Sequence, residues 1–184
     1  MIEHLVFLLE AESERDFLEL LLPRVLPPNI RPHFMVFEGK QDLEKNVQPK
    51  LKRWLLPNSQ FVVMRDQDSG DCKVIKEGLR QKCAAAGHPN ALVRIVCRAL
   101  ETFFIGDWKA VAQAYEKPSL ESNQRKAKYR NPDQLGSPAD ELDAALRGYQ
   151  KREGARKITP HLDLLGNRST SFNVLLHSLQ QVNQ

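Results

Sequence analysis

Two aspartates one residue apart, Asp66 and Asp68, close the segment "FVVMRDQDSG" at residues 61–70. Side chains at i and i+2 of an extended strand point the same way. Both carboxylates are therefore expected to face one point just past the strand end. Like charges that close make each other harder to ionise, unless a cation stands between them. Glu10 ends a second apolar run, in "VFLLEAESE", and Glu14 follows one helical turn later. If those two runs are neighbouring strands, Glu10, Asp66 and Asp68 converge. Hard oxygen ligands clustered in this way suit Mg2+ or Mn2+, which also bridge to phosphate. Glu101, in "RIVCRALETFF", adds an acid at another strand-to-helix junction. Glu14 and Glu101 also have a plainer explanation, because the helix dipole favours an acid in a first turn.

The elements that must position these groups can be read from periodicity. Four short apolar segments read as buried strands: "HLVFLL" (4–9), "HFMVF" (33–37), "FVVM" (61–64) and "LVRIVC" (92–97). Helical patterns fall between and after them. Residues 13–26 start with Ser13 and Asp16 in capping-box spacing and meet Pro23 near the end. Residues 41–56 and 72–87 are two further helices, the second closed by Gly87. Such alternation predicts an α/β fold with a central, roughly four-stranded parallel sheet flanked by helices. In open parallel sheets, sites lie at the carboxyl ends of the strands.

Beyond residue 97 the pattern turns helical. Residues 99–115 form a helix interrupted near Gly106, and Asp107 and Trp108 read as a cap and a core contact. Residues 116–138 are polar and basic with three prolines, and are expected to form a surface loop. Helices are expected at 139–154 and 169–181. The expected organisation is an α/β core at 1–115, the loop at 116–138, and a helical C-terminal extension at 139–184 packed on the core.

The charge is uneven. Residues 1–70 hold nine Lys and Arg against eleven Asp and Glu, and the rest hold eighteen against twelve. A weakly acidic first part and a basic second part suit a surface that handles polyanions. Three cysteines without CxxC spacing indicate neither a disulfide framework nor a zinc site, and fit a reducing cytoplasm. No apolar run is long enough to serve as a signal peptide or to span a bilayer, so no membrane association is expected. The five histidines show no metal-binding spacing such as HExxH and read as structural.

A strand ending in Glu10, a later one ending in Asp66-Gln67-Asp68, and a βα unit between them resemble the Toprim fold. Toprim domains carry one glutamate after the first strand and Asp-x-Asp after a later one, and these hold divalent metal. The chain most resembles small standalone Toprim-like bacterial proteins encoded beside an ATPase. They are related to nucleases of the overcoming-lysogenization-defect class. The segments that carry this are "LLEAESERDFLELLLPRVLP", "FEGKQDL", "VVMRDQDSGDC", "RIVCRALETFFIGD" and "NRSTSFNVLLHSL". They cover most of the chain outside residues 116–138. Many Toprim proteins have glycine after the motif glutamate, where this chain has Ala11.

The resemblance implies a Mg2+- or Mn2+-dependent nuclease cleaving DNA or RNA, with an ATPase partner, in phage defence or DNA repair. Glu10, Asp66 and Asp68 would bind one ion, and Glu14 and Glu101 would serve it or a second. Lys151 or Lys157, both in "YQKREGARKITP", would offset transition-state charge; the sequence leaves the choice open. Lys40 in "FEGKQDL" is a candidate phosphate contact. So are Arg125, Lys126, Lys128 and Arg130, which interleave with Tyr129, an aromatic able to stack on a base. Two other classes compete. One is a non-catalytic metal- and nucleic-acid-binding subunit of an ATPase complex. The other is a phosphatase with an aspartyl nucleophile at Asp66, which suits its position on a third strand poorly.

Overall fold

The computed structural model describes residues 2–182. Four strands, β1 (His4–Leu9), β2 (Arg31–Val36), β3 (Ser59–Asp66) and β4 (Leu92–Val96), pair in the order β2-β1-β3-β4. Every pairing is parallel, as the β/α alternation predicts. β1 and β3 lie side by side with Leu9 opposite Met64. Glu10 and the end of β3 therefore reach the same edge of the sheet.

Side-chain alternation divides the core in two. Val6, Leu8, Phe61 and Val63 face α2 (Lys40–Lys52) and α3 (Cys72–Ala85). Leu5, Phe7, Leu9 and Met64 face a larger cluster that includes Phe17, Phe103, Trp108 and Phe172. Those rings belong to α1 (Glu12–Leu21), α4 (Glu101–Ile105), α5 (Trp108–Ala114) and α8 (Thr170–Gln181). Burying each such ring contributes about 1.5–3 kcal/mol. The C-terminal helices thus complete the core on that face. No helix among the described residues is long and apolar enough to cross a membrane.

Three local expectations need correction. The first helix starts at Glu12 with Ala11 as its N-cap, so the Ser13/Asp16 box does not form. Ser13 and Asp16 point inward, and Arg152 binds Asp16 through two hydrogen bonds of 2.7 and 3.1 Å. The helix expected at 139–154 is two helices, α6 (Pro138–Leu146) and α7 (Lys151–Ile158). Arg147 (φ 57°) and Gly148 (φ 89°) turn the chain between them, and an Asp143 oxygen accepts from the Gly148 and Tyr149 amides at 2.9 Å.

The stretch at 116–138 is the third. It folds into short 3-10 helices at Pro118–Arg125, Ala127–Tyr129 and Pro132–Gln134. Tyr129 is buried against Trp108, with ring centroids 4.8 Å apart, so it presents no face to a base. Lys128 is paired with Glu141 at 2.7 Å.

The break at Gly106 has a packing cause. A Cβ there would lie 2.0 Å from Asn167 Oδ1 and 2.9 Å from the Ser169 amide nitrogen. Asn167 is buried; its Nδ2 donates to the Phe103 carbonyl and its Oδ1 accepts from Ser169 N, both at 2.8 Å. Gly106→Ala is therefore expected to cost about 1–3 kcal/mol, measurable by urea unfolding.

Candidate metal centre

The carboxyl edge of the sheet gathers acids from three strand ends. Asp66 is the last residue of β3, and its side chain is 7% exposed. Its amide donates to Glu10 Oε2 at 3.2 Å, which ties the ends of β1 and β3 together. Glu14 sits fully inside the first turn of α1. Its Oε2 accepts from the Glu10 and Ala11 amides at 2.7 and 3.3 Å, so the side chain caps its own helix. Ala11 adopts extended backbone (φ −149°), so this junction needs no glycine. Glu101 opens α4 and is buried.

A lysine stands between Asp66 and Glu101. Lys151, the first residue of α7, donates to Asp66 Oδ2 at 2.7 Å and lies 3.9 Å from Glu101 Oε2. Lys157 is elsewhere, paired with Glu153 at 2.6 Å and lying over the Tyr115 ring. Geometry thus separates the two lysines that the sequence left as alternatives.

Asp68 departs from the expected arrangement. β3 ends at Asp66, and Asp68 takes a left-handed conformation (φ 54°), so the i, i+2 rule for a strand no longer applies. Its side chain is 41% exposed at the mouth of the site, where its Oδ2 accepts from Lys40 at 2.7 Å. Lys40 therefore does reach the carboxyl edge. Arg125 and Lys128 lie in the 3-10 helices, and Lys126 and Arg130 directly follow them, outside this cluster.

Arg65 was not singled out from the sequence. It is buried on β3, its Nε lies 3.9 Å from Glu10 Oε2, and its guanidinium also binds Glu44. A charged residue inside an otherwise apolar strand, directly before Asp66, was the available signal. Tyr149, whose buried hydroxyl is held protonated by burial and by the Glu101 charge, was likewise missed.

Burial and mutual repulsion make these carboxylates costly to keep charged. Burial and the neighbouring Asp66 and Glu10 charges raise the Glu14 pKa well above the carboxylate range. Burial also raises Glu10, Asp66 and Glu101, and for the last two Lys151 opposes the shift. Glu14 Oε1, Asp66 Oδ1 and Glu101 Oε2 are buried without a hydrogen-bond partner. Buried oxygens of this kind are costly unless something satisfies them. An all-oxygen set fits Mg2+ or Mn2+ in kind. Among the described residues, no three His, Cys, Asp or Glu side chains are already grouped as a metal cage.

These raised pKa values imply an unusual pH dependence. Each carboxyl binds its proton more tightly folded than unfolded. Between the ordinary carboxylate pKa and the raised one, stability therefore falls as pH rises. With a chelator present, stability is expected to peak in mild acid and decline towards neutral. Urea unfolding across that range checks it; a steady rise from about pH 4 to about pH 8 contradicts it.

No curated protein and no solved structure matches the chain. A family model, Domain of unknown function (DUF4276), matches residues 9–180, a span that contains Glu10, Glu14, Asp66, Asp68, Glu101 and Lys151. The chain belongs to the DUF4276 family.

Proposed function

We propose that this protein is a divalent-metal-dependent phosphodiester hydrolase of Toprim type, acting on DNA or RNA. The observation that carries this is the set of buried carboxylates, Glu14, Asp66 and Glu101, gathered around Lys151 at the carboxyl edge of a parallel sheet. The Glu10 and Asp-x-Asp resemblance supports it. Glu10 and Asp66 would hold Mg2+ or Mn2+, with Glu14 and Glu101 serving the same ion or a second, and Asp68 would join them by exchanging its Lys40 partner for the ion. Such an ion supplies charge stabilisation to a phosphate under attack.

The side chains divide the remaining work. Arg65 holds the Glu10 carboxylate against the end of β3. Lys151 offers an ammonium group beside Asp66, where it can offset negative charge developing on phosphate. Lys40, at the mouth, attracts the incoming anion. The resemblance also points to an ATPase partner and to phage defence or DNA repair.

A second reading, a non-catalytic subunit of an ATPase complex, is favoured by the direct Lys151–Asp66 contact, which already neutralises one carboxylate. Titrating the protein with Mn2+ and incubating it with DNA and RNA in Mg2+ and Mn2+ tests both. Metal binding with cleavage supports the hydrolase. Metal binding without cleavage, with and without the ATPase, leaves the subunit reading.

A further inference from the structure

β4 is an edge strand, and a groove runs along its open side between α3 and α8. One part, of about 450 Å3, is lined by Lys73, Lys76, Ile95, Cys97, Ser171 and Val174, among others. A second part, of about 350 Å3, continues it towards Pro89 and Asn90. The two share Lys76, Val93 and Arg94.

The walls are basic. Lys73, Lys76 and Arg80 stand at i, i+3 and i+7 on one face of α3, over about 10 Å of helix. Their side chains form no ion pair among the described residues. Arg94 projects from β4 and is fixed by Ser178 Oγ at 2.8 Å. Asp133 is the acidic side chain in the lining. Its oxygens are taken up by Ser169, Thr170 and Ser171 at the start of α8. The floor is aliphatic, from Ile95 and Val174.

The groove leads to the carboxylates. Cys97 lines it, and the next residue, Arg98, donates to the Asp68 carbonyl at 3.2 Å. A row of free cations ending at an acidic, cation-seeking edge matches a phosphodiester backbone better than an acidic peptide. At that edge the preference for phosphate comes from the divalent ion of the proposed function, which bridges to phosphate; along the groove it comes from the cation row. The free cations form a single row along α3, while α8 contributes Thr170, Ser171 and Val174 opposite them, so the groove offers charge to one phosphate backbone.

We infer that the β4-edge groove binds a single-stranded nucleic acid and delivers it to the Glu10/Asp66 edge. This deepens the proposed function by naming the path of its substrate, but binding itself needs no metal. With no aromatic side chain in the lining, the affinity is electrostatic and steeply salt-dependent.

Fluorescence anisotropy with labelled oligo-dT and oligo-rU, in EDTA, tests it. The variant Lys73→Glu/Lys76→Glu/Arg80→Glu is expected to bind at least about tenfold more weakly, and its salt slope to fall by about two, from three lost phosphate contacts. The milder Lys73→Gln/Lys76→Gln/Arg80→Gln should give an intermediate loss. A footprint on the unaltered protein gives a second measurement. Cys72 and Cys97 line the groove while Cys83 is buried, so oligo-dT should slow alkylation of the first two. Unchanged affinity in both variants, unprotected cysteines, or tighter binding of poly-glutamate than of oligo-dT overturns the inference. Binding by this route in a protein that cuts nothing upholds the groove and sinks the hydrolase.

Discussion

Asp66→Asn is expected to lower metal-dependent cleavage by about a thousandfold or more, in line with losses seen when a charged catalytic group is removed. Asp66 is the residue on which the cluster turns. Its backbone amide holds Glu10, one side-chain oxygen holds Lys151, and the other is buried without a donor. Asparagine keeps the shape and the amide contact but removes the charge that a cation requires. Lys151 retains Glu101 nearby, so the fold should survive. Initial rates on DNA and RNA, with a parallel Mn2+ titration, read the result. A rate within tenfold of the parent protein excludes Asp66 as a metal ligand in the reaction.

Lys151→Met should have the second-largest effect, and on stability before activity. Methionine matches the length of lysine and leaves Glu14, Asp66 and Glu101 without their cation. Stranding buried charges costs about 3–5 kcal/mol when the pair is fully enclosed. Lys151 is partly exposed, so a loss of about 1–3 kcal/mol is expected in EDTA at neutral pH. Mn2+ should then stabilise this variant more than the parent, because a competing cation is gone. Urea unfolding with and without Mn2+ measures both quantities. If Mn2+ stabilises neither protein, the cluster is a lysine-neutralised structural site.

β1 and β3 were legible as short buried runs, and the less buried edge strands β2 and β4 from runs of Val, Ile and Phe bounded by polar residues between helical patterns. The meeting of Glu10 and Asp66 was legible for the same reason: both end strands in a parallel sheet, and β1 and β3 are neighbours. Asp68 was misplaced because period-2 reasoning holds only while the strand lasts, and this one stops two residues earlier. Glu14 looked like a dipole-favoured acid and is indeed a cap, yet its second oxygen faces inward unpaired. Choosing Lys151 over Lys157 depended on where α7 begins. That start is set by the turn at Arg147 and Gly148, which a continuous helical pattern concealed. The β4 groove was invisible, because its cations come from a helix and a strand whose edge status no local pattern encodes.

The site's internal cation also arrives late in the life of the chain. Asp66 and Lys151 are 85 residues apart. At synthesis rates of about 5–20 residues per second, the ribosome delivers the carboxylates about 4–17 seconds before the lysine. Through that interval Asp66 and Glu14 lack the ammonium that faces them in the folded protein. Arg65 and Lys40, made before or beside Asp66, are the cations of the chain then at hand. The order of residues along the gene thus leaves Asp66 to be charged or protonated without its lysine until α7 has been made.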